Sequence, residues 1–79
     1  MHRYLVKFED KDSLLPYKLI NYFLVTADNM NNARELIYKT KRLFIVNDLV
    51  YLKIYNPKID GDKKISAYIS KKWIKFRNE

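Results

Sequence analysis

Residues 3–8 alternate in character, with Tyr4, Val6 and Phe8 on one side and Arg3, Leu5 and Lys7 on the other. A period of two predicts a half-buried strand. The polar run 9–13 follows as a turn, and Pro16 restricts Leu15 and forbids a helix there. A second strand is predicted over 17–26. Tyr17, Leu19, Phe23 and Val25 share one of its faces; Lys18, Ile20, Tyr22, Leu24 and Thr26 share the other. Both sets are substantially apolar, so this strand belongs in the middle of a sheet, hairpin-paired with the first.

The period then changes. Asp28 or Asn29 can cap a helix, because a side-chain oxygen there takes up an orphan backbone N–H. Met30, Ala33, Leu36 or Ile37, and Thr40 recur at helical spacing, with Arg34, Glu35, Lys39 and Lys41 on the solvent side. One amphipathic helix is predicted over 30–41, packed across the sheet. A short apolar run at 43–46 is a further possible strand. Residues 49–55 alternate again, Val50, Leu52 and Ile54 facing the core and Tyr51, Lys53 and Tyr55 forming a stripe on the open face. Asn56-Pro57 ends that strand, and Asp60-Gly61 reads as a hairpin turn with the only glycine. Residues 64–70 form another strand, with Ile65, Ala67 and Ile69 inward. The phase breaks at Lys71-Lys72, after which Ile74 and Phe76 predict one more short strand, displaced by a bulge or turn. The expected architecture is α+β: an antiparallel sheet of five or six strands and one helix, in the order β-β-α-(β)-β-β-β.

Seventy-nine residues are expected to make a single domain over 1–79. Such a chain buries only about 60% of the surface its unfolded form exposes. The aromatic content of 15% nonetheless argues against disorder. With no cysteine, disulfide and thiolate-metal scaffolds are excluded. No apolar run approaches the roughly 18 residues of a membrane span, and charges interrupt the first residues where a signal peptide would need an apolar core. A soluble, cytoplasmic protein without membrane attachment is expected.

Charge changes the picture more. The net charge is +7, and it is uneven: residues 1–40 carry six cations and five acids, residues 41–79 ten cations and four acids. Residues 63–77 alone hold six cations and no acid, with Ile, Tyr, Trp and Phe threaded between them. Such asymmetry favours RNA, DNA, an acidic protein or an anionic surface as partner.

Catalytic chemistry finds little support. The single histidine, His2, lies beside the first methionine, and one histidine without cysteine gives no basis for a transition-metal centre. Asp60-Gly61-Asp62 resembles a fragment of a calcium loop but lacks the further ligands and closing Glu, so a solvated hairpin turn is expected. Glu9, Asp10 and Asp12 read as solvated turn residues, and one glycine cannot build a phosphate loop. No catalytic residue, metal or cofactor is expected, and the chain is not read as an enzyme.

Binding is better supported. Lys and Arg neutralise phosphates, and aromatic rings offer faces on which unstacked bases lie. On the predicted phases, the candidate nucleic-acid-binding residues are Tyr51, Lys53, Tyr55, Lys63, Lys64, Tyr68, Lys71, Lys72, Trp73, Lys75 and Arg77. Rings beside ammonium groups on an open sheet suit single-stranded or looped RNA, alone or in a nucleoprotein complex. The same residues also serve as ordinary strand surface, and lysines on an edge guard against aggregation. A protein-directed inhibitor or adaptor binding an acidic host protein is the alternative, since exposed Tyr and Trp are also interface residues.

Asn, Lys, Ile and Tyr make up 34 of the 79 residues. In that respect, and in its size, the chain resembles small virus-encoded accessory proteins of AT-rich hosts, including anti-CRISPR-like counter-defence proteins. The resemblance is one of general character over the whole chain and carries over no site residue. It implies inhibition of a host nucleic-acid-guided defence complex in the host cytoplasm.

Overall fold

The structure is a computed structural model, and it describes residues 1–11, 14, 20–40, 45 and 47–71. The first strand, β1 (His2–Asp10), pairs antiparallel with β2 (Ile20–Ala27), as the alternation of both segments predicts. Helix α1 (Met30–Lys39) follows. Asn29 is its N-cap, the side-chain oxygen accepting from Asn32 N–H at 2.9 Å. The helix ends where the Thr40 hydroxyl donates to the Leu36 carbonyl at 2.9 Å and the Thr40 N–H to Ile37. It is two residues shorter than the expected 30–41.

Strand β3 (Asn47–Ile54) then pairs antiparallel with the free side of β1. A short helix, α2 (Pro57–Asp60), precedes β4 (Ile65–Ile69), which pairs with β2. The sheet order is β3-β1-β2-β4. Here the expectation of an all-antiparallel sheet fails: β4 runs parallel to β2, so the sheet is mixed. Four strands and two helices stand among the described residues, not five or six strands and one helix. Ile45 is helical and exposed, where the apolar run 43–46 suggests a strand. The predicted strand around Ile74 and Phe76, and Tyr17, Lys18 and Leu19 of the second strand, lie outside the described residues.

The parallel pairing has a direct cause. Asp60-Gly61 does not close a hairpin. Proline is well placed at the first position of a helix, and Asn56 caps it by accepting from Lys58 N–H at 3.0 Å. Ten residues, 55–64, therefore carry the chain from one edge of the sheet to the other. Gly61 has an ordinary backbone conformation, but a Cβ there would collide with the Pro57 carbonyl oxygen.

The principal core lies between α1 and one face of the sheet. Tyr4, Val6, Phe8, Phe23, Val25, Ala27, Ala67 and Ile69 meet Ala33, Leu36 and Ile37 there. Strand β3 contributes less than its alternation predicts. Its register slips opposite Lys7 and Phe8, so Leu49 and Leu52 reach the core while Val50, the extra residue, is 44% exposed. Ile54 at the end of this edge strand is 68% exposed. Neither Val50 nor Ile54 is a core residue.

The opposite face of the sheet is not open either. Leu5 and Leu24, neighbours across β1 and β2, are 0% and 5% exposed although they point away from α1. The crossover 55–64 runs over this second face, where Asp60 reaches Lys53 and Lys63 reaches Tyr22. Two apolar layers flank the central strands, which is why β2 is apolar on both sides.

Candidate nucleic-acid interface

Across the second face, Lys7 on β1 stands opposite Tyr22 on β2 and Tyr51 on β3. In the adjacent row, Leu5 stands between Leu24 and Lys53, and Leu24 lies beside Tyr68 on β4. The alternation of four strands thus places cations and rings on one surface, beneath and beside the crossover.

Lys7 and Lys53 hold their Nζ atoms 5.9 and 5.4 Å from the centre of the Tyr51 ring. Lys63, arriving from the crossover, holds its own 5.7 Å from the centre of Tyr22. These are cation–π distances. Burial raises the Tyr51 hydroxyl pKa above its ordinary value; the neighbouring Tyr22 adds to the shift, Lys53 opposes it, and Asp60 and a hydrogen bond with Tyr22 add further.

Asp60 ties this group together. Its side chain is 1% exposed, and its two oxygens accept from Lys53 Nζ and from the Asn56 backbone N–H, both at 3.0 Å. The backbone bond first and the lysine second hold its carboxyl below the usual range, against the cost of burial. In return, hydrogen bonding to Asp60 raises the Lys53 ammonium above its ordinary pKa. The expected solvated turn carboxylate is instead a buried anchor for the crossover. Lys7 is partly engaged too, with Glu9 3.9 Å away. Glu9 and Asp10, expected as solvated turn residues, are half-buried at the end of β1.

The predicted interface therefore divides. Tyr51, Lys53 and Lys63 come together, half-buried, in a network that uses Lys7, Tyr22 and Asp60 as well. Tyr55, also half-buried, donates its backbone N–H to the Arg3 carbonyl at 3.0 Å. The open Tyr-Lys-Tyr stripe expected on 49–55 is thus half-buried. Lys64, Tyr68 and Lys71 remain exposed on and around β4, with Tyr68 at 61%. Lys72, Trp73, Lys75 and Arg77 lie outside the described residues.

Beyond Tyr68 the end of β4 and helix α1 enclose a cleft of about 750 Å³. Buried Ala27, Leu36 and Ile69 contribute an apolar floor, and Tyr68 borders it on β4. Asp28, Asn32, Glu35, Lys39 and Lys71 stand around it. The acids and the two lysines form no ion pair with one another among the described residues. By spacing alone, Glu35 and Lys39 read only as a solvated helix face; that this face turns toward β4 depends on the parallel pairing.

Among the described residues, no group of three or more His, Asp or Glu is placed to hold a metal ion, and no helix is long and apolar enough to cross a membrane. No known protein family matches the sequence, and no curated protein or solved structure matches it either.

Proposed function

We propose that this is a non-catalytic basic protein that binds single-stranded RNA, free or within a nucleoprotein complex, through the β4 side of its sheet. One observation carries the reading: the exposed Tyr68 ring stands on an edge strand between Lys64 and Lys71, and neither lysine is in an ion pair among the described residues. An accessible ring gives a base a stacking surface, worth about 1–3 kcal/mol per base. Ammonium groups on either side are available to replace the counterions of a phosphate backbone. Tyr51 is a poorer platform, since lysines already stand at its ring and the crossover lies beside it.

Inhibition of a nucleic-acid-guided defence complex fits this surface, because occupying a nucleoprotein requires charge and shape and no reaction. The net charge of +7 and the composition support that extension. The direct test is binding of nuclease-treated protein to labelled single-stranded RNA and DNA across a salt series. Absence of binding at low salt sinks the proposal.

A protein-directed role draws on the other edge of the sheet, where Val50 and Ile54 of β3 expose apolar surface. A nuclease-insensitive complex with an acidic protein, disrupted by Ile54→Lys and unaffected by Tyr68→Ala, is the result that selects it.

A further inference from the structure

We propose that the cleft between α1 and the end of β4 receives a single guanine base from the bound strand, which gives the protein a base preference. The inference rests on the single-strand reading above and adds to it a pocket and a chemical identity.

A nucleobase has two flat apolar faces and one polar edge, and an attached phosphate that must stay at the surface. The cleft offers a counterpart to one face, the edge and the phosphate. Ala27, Leu36 and Ile69 form a buried apolar floor on which one face of a base can lie. Lys39 and Lys71 stand at the rim on two different elements, where a backbone phosphate on either side of an inserted base would pass. At about 750 Å³ the space is ample for one nucleotide.

The polar groups narrow the choice of base. Asp28 and Glu35 bring carboxylates to the cleft, whose oxygens accept hydrogen bonds. Uracil presents two carbonyl acceptors around one N–H, so a carboxylate opposes two of its three edge groups. Adenine and cytosine each present one amino donor beside an acceptor. Guanine presents an imino N–H and an amino group side by side, which a carboxylate accepts with both oxygens, and its carbonyl remains for a donor. Asn32, whose amide both donates and accepts, borders the same cleft. The two acids would be unfavourable in a site that gripped phosphate alone; facing a base edge, they have a use.

The test measures anisotropy of a labelled oligouridylate and of the same oligomer with one central guanosine, against wild type, Glu35→Gln, Asp28→Asn and the double variant. Both substituted positions are exposed, and thermal melts confirm folding. The expected result is several-fold tighter binding of the guanosine oligomer. That preference should shrink in each single variant and vanish in the double variant, with oligouridylate binding kept or slightly improved. Equal binding of both oligomers by wild type overturns the guanine pocket and leaves the single-strand reading intact. A guanosine preference that survives in the double variant places the pocket elsewhere and also overturns the inference. Failure to bind either oligomer at low salt overturns both readings together.

Discussion

Lys53 Nζ lies 3.0 Å from Asp60 Oδ1, so the third strand is bonded directly to the crossover that leaves it. Asp60 also accepts from Asn56 N–H, which fixes the start of α2. Asp60→Ala removes both bonds at a side chain that is 1% exposed, and leaves the Asn56 N–H without this acceptor. It should lower the midpoint of thermal unfolding by several degrees. Lys53→Met should lower it as well, because it leaves a buried carboxylate with one bond fewer. In the double variant the two losses should not add, a coupling that a double-mutant cycle measures.

The same pair sets the response to pH. The Asp60 carboxyl is held below the ordinary value, so its contribution is present above about pH 4, the unfolded value, and is lost as pH falls through the folded one. The Lys53 ammonium is held above its ordinary value, so its contribution is present below about pH 10.4 and is lost as pH rises through the folded value. Stability should be level between these limits and fall on both sides. Unfolding midpoints of Asp60→Asn should fall less steeply in the acid limb than those of wild type.

Leu5 and Leu24 test the second apolar layer. They point away from α1, yet both are buried. Leu5→Ala should cost about 2–5 kcal/mol in urea unfolding, comparable to a truncation in the main core. A sheet with an open second face would lose much less.

Gly61 is required by space and not by backbone angle. Because a Cβ would meet the Pro57 carbonyl oxygen, Gly61→Ala should destabilise by about 1–3 kcal/mol. Chemical shifts of residues 56–63 report whether α2 unwinds.

Binding should separate free lysines from engaged ones. Lys64→Ala with Lys71→Ala should flatten the salt dependence of single-strand binding by about 0.7 in logarithmic slope for each phosphate no longer neutralised. Lys53→Met removes one charge but should leave the slope nearly unchanged, since that ammonium is already bonded to Asp60. Equal effects at Lys53 and Lys71 would place the strand on the second face instead.

The periodicities of β1, β2 and α1 are legible in the sequence because their α1-side core residues recur at regular spacing: Tyr4, Val6 and Phe8; Phe23, Val25 and Ala27; Ala33 with Leu36 and Ile37. Asn29 signals the helix start by ordinary capping chemistry. Strand β3 is harder. Its alternation is correct for Tyr51 and Lys53, but the bulge at Val50 moves the core face onto Leu49, and a valine carries no bulge signal. Asp60-Gly61 suggests a hairpin because that dipeptide favours tight turns. The contrary signal lies four residues earlier, where Asn56-Pro57 has the order of a helix cap and first turn. Once the crossover replaces the hairpin, β4 changes edge and direction, and the interface changes with it. Lys7, Tyr22 and Asp60 give no sign of their meeting in the sequence, because it depends on pairing across distant strands. Tyr68 and Lys71 are legible because exposure at β4 follows local alternation alone.

The first strand of the chain occupies an interior place in the sheet, between a neighbour that follows it closely and β3, which begins at Asn47. During synthesis β1 can pair with β2 early, but its other edge must wait for β3 to be made. Until then the unpaired edge of β1, with its open N–H and C=O groups, is an aggregation hazard. A pause that leaves β1 and β2 outside the ribosome while residues 47–54 are still inside it should therefore lower the yield of folded protein more than one after β3 has emerged.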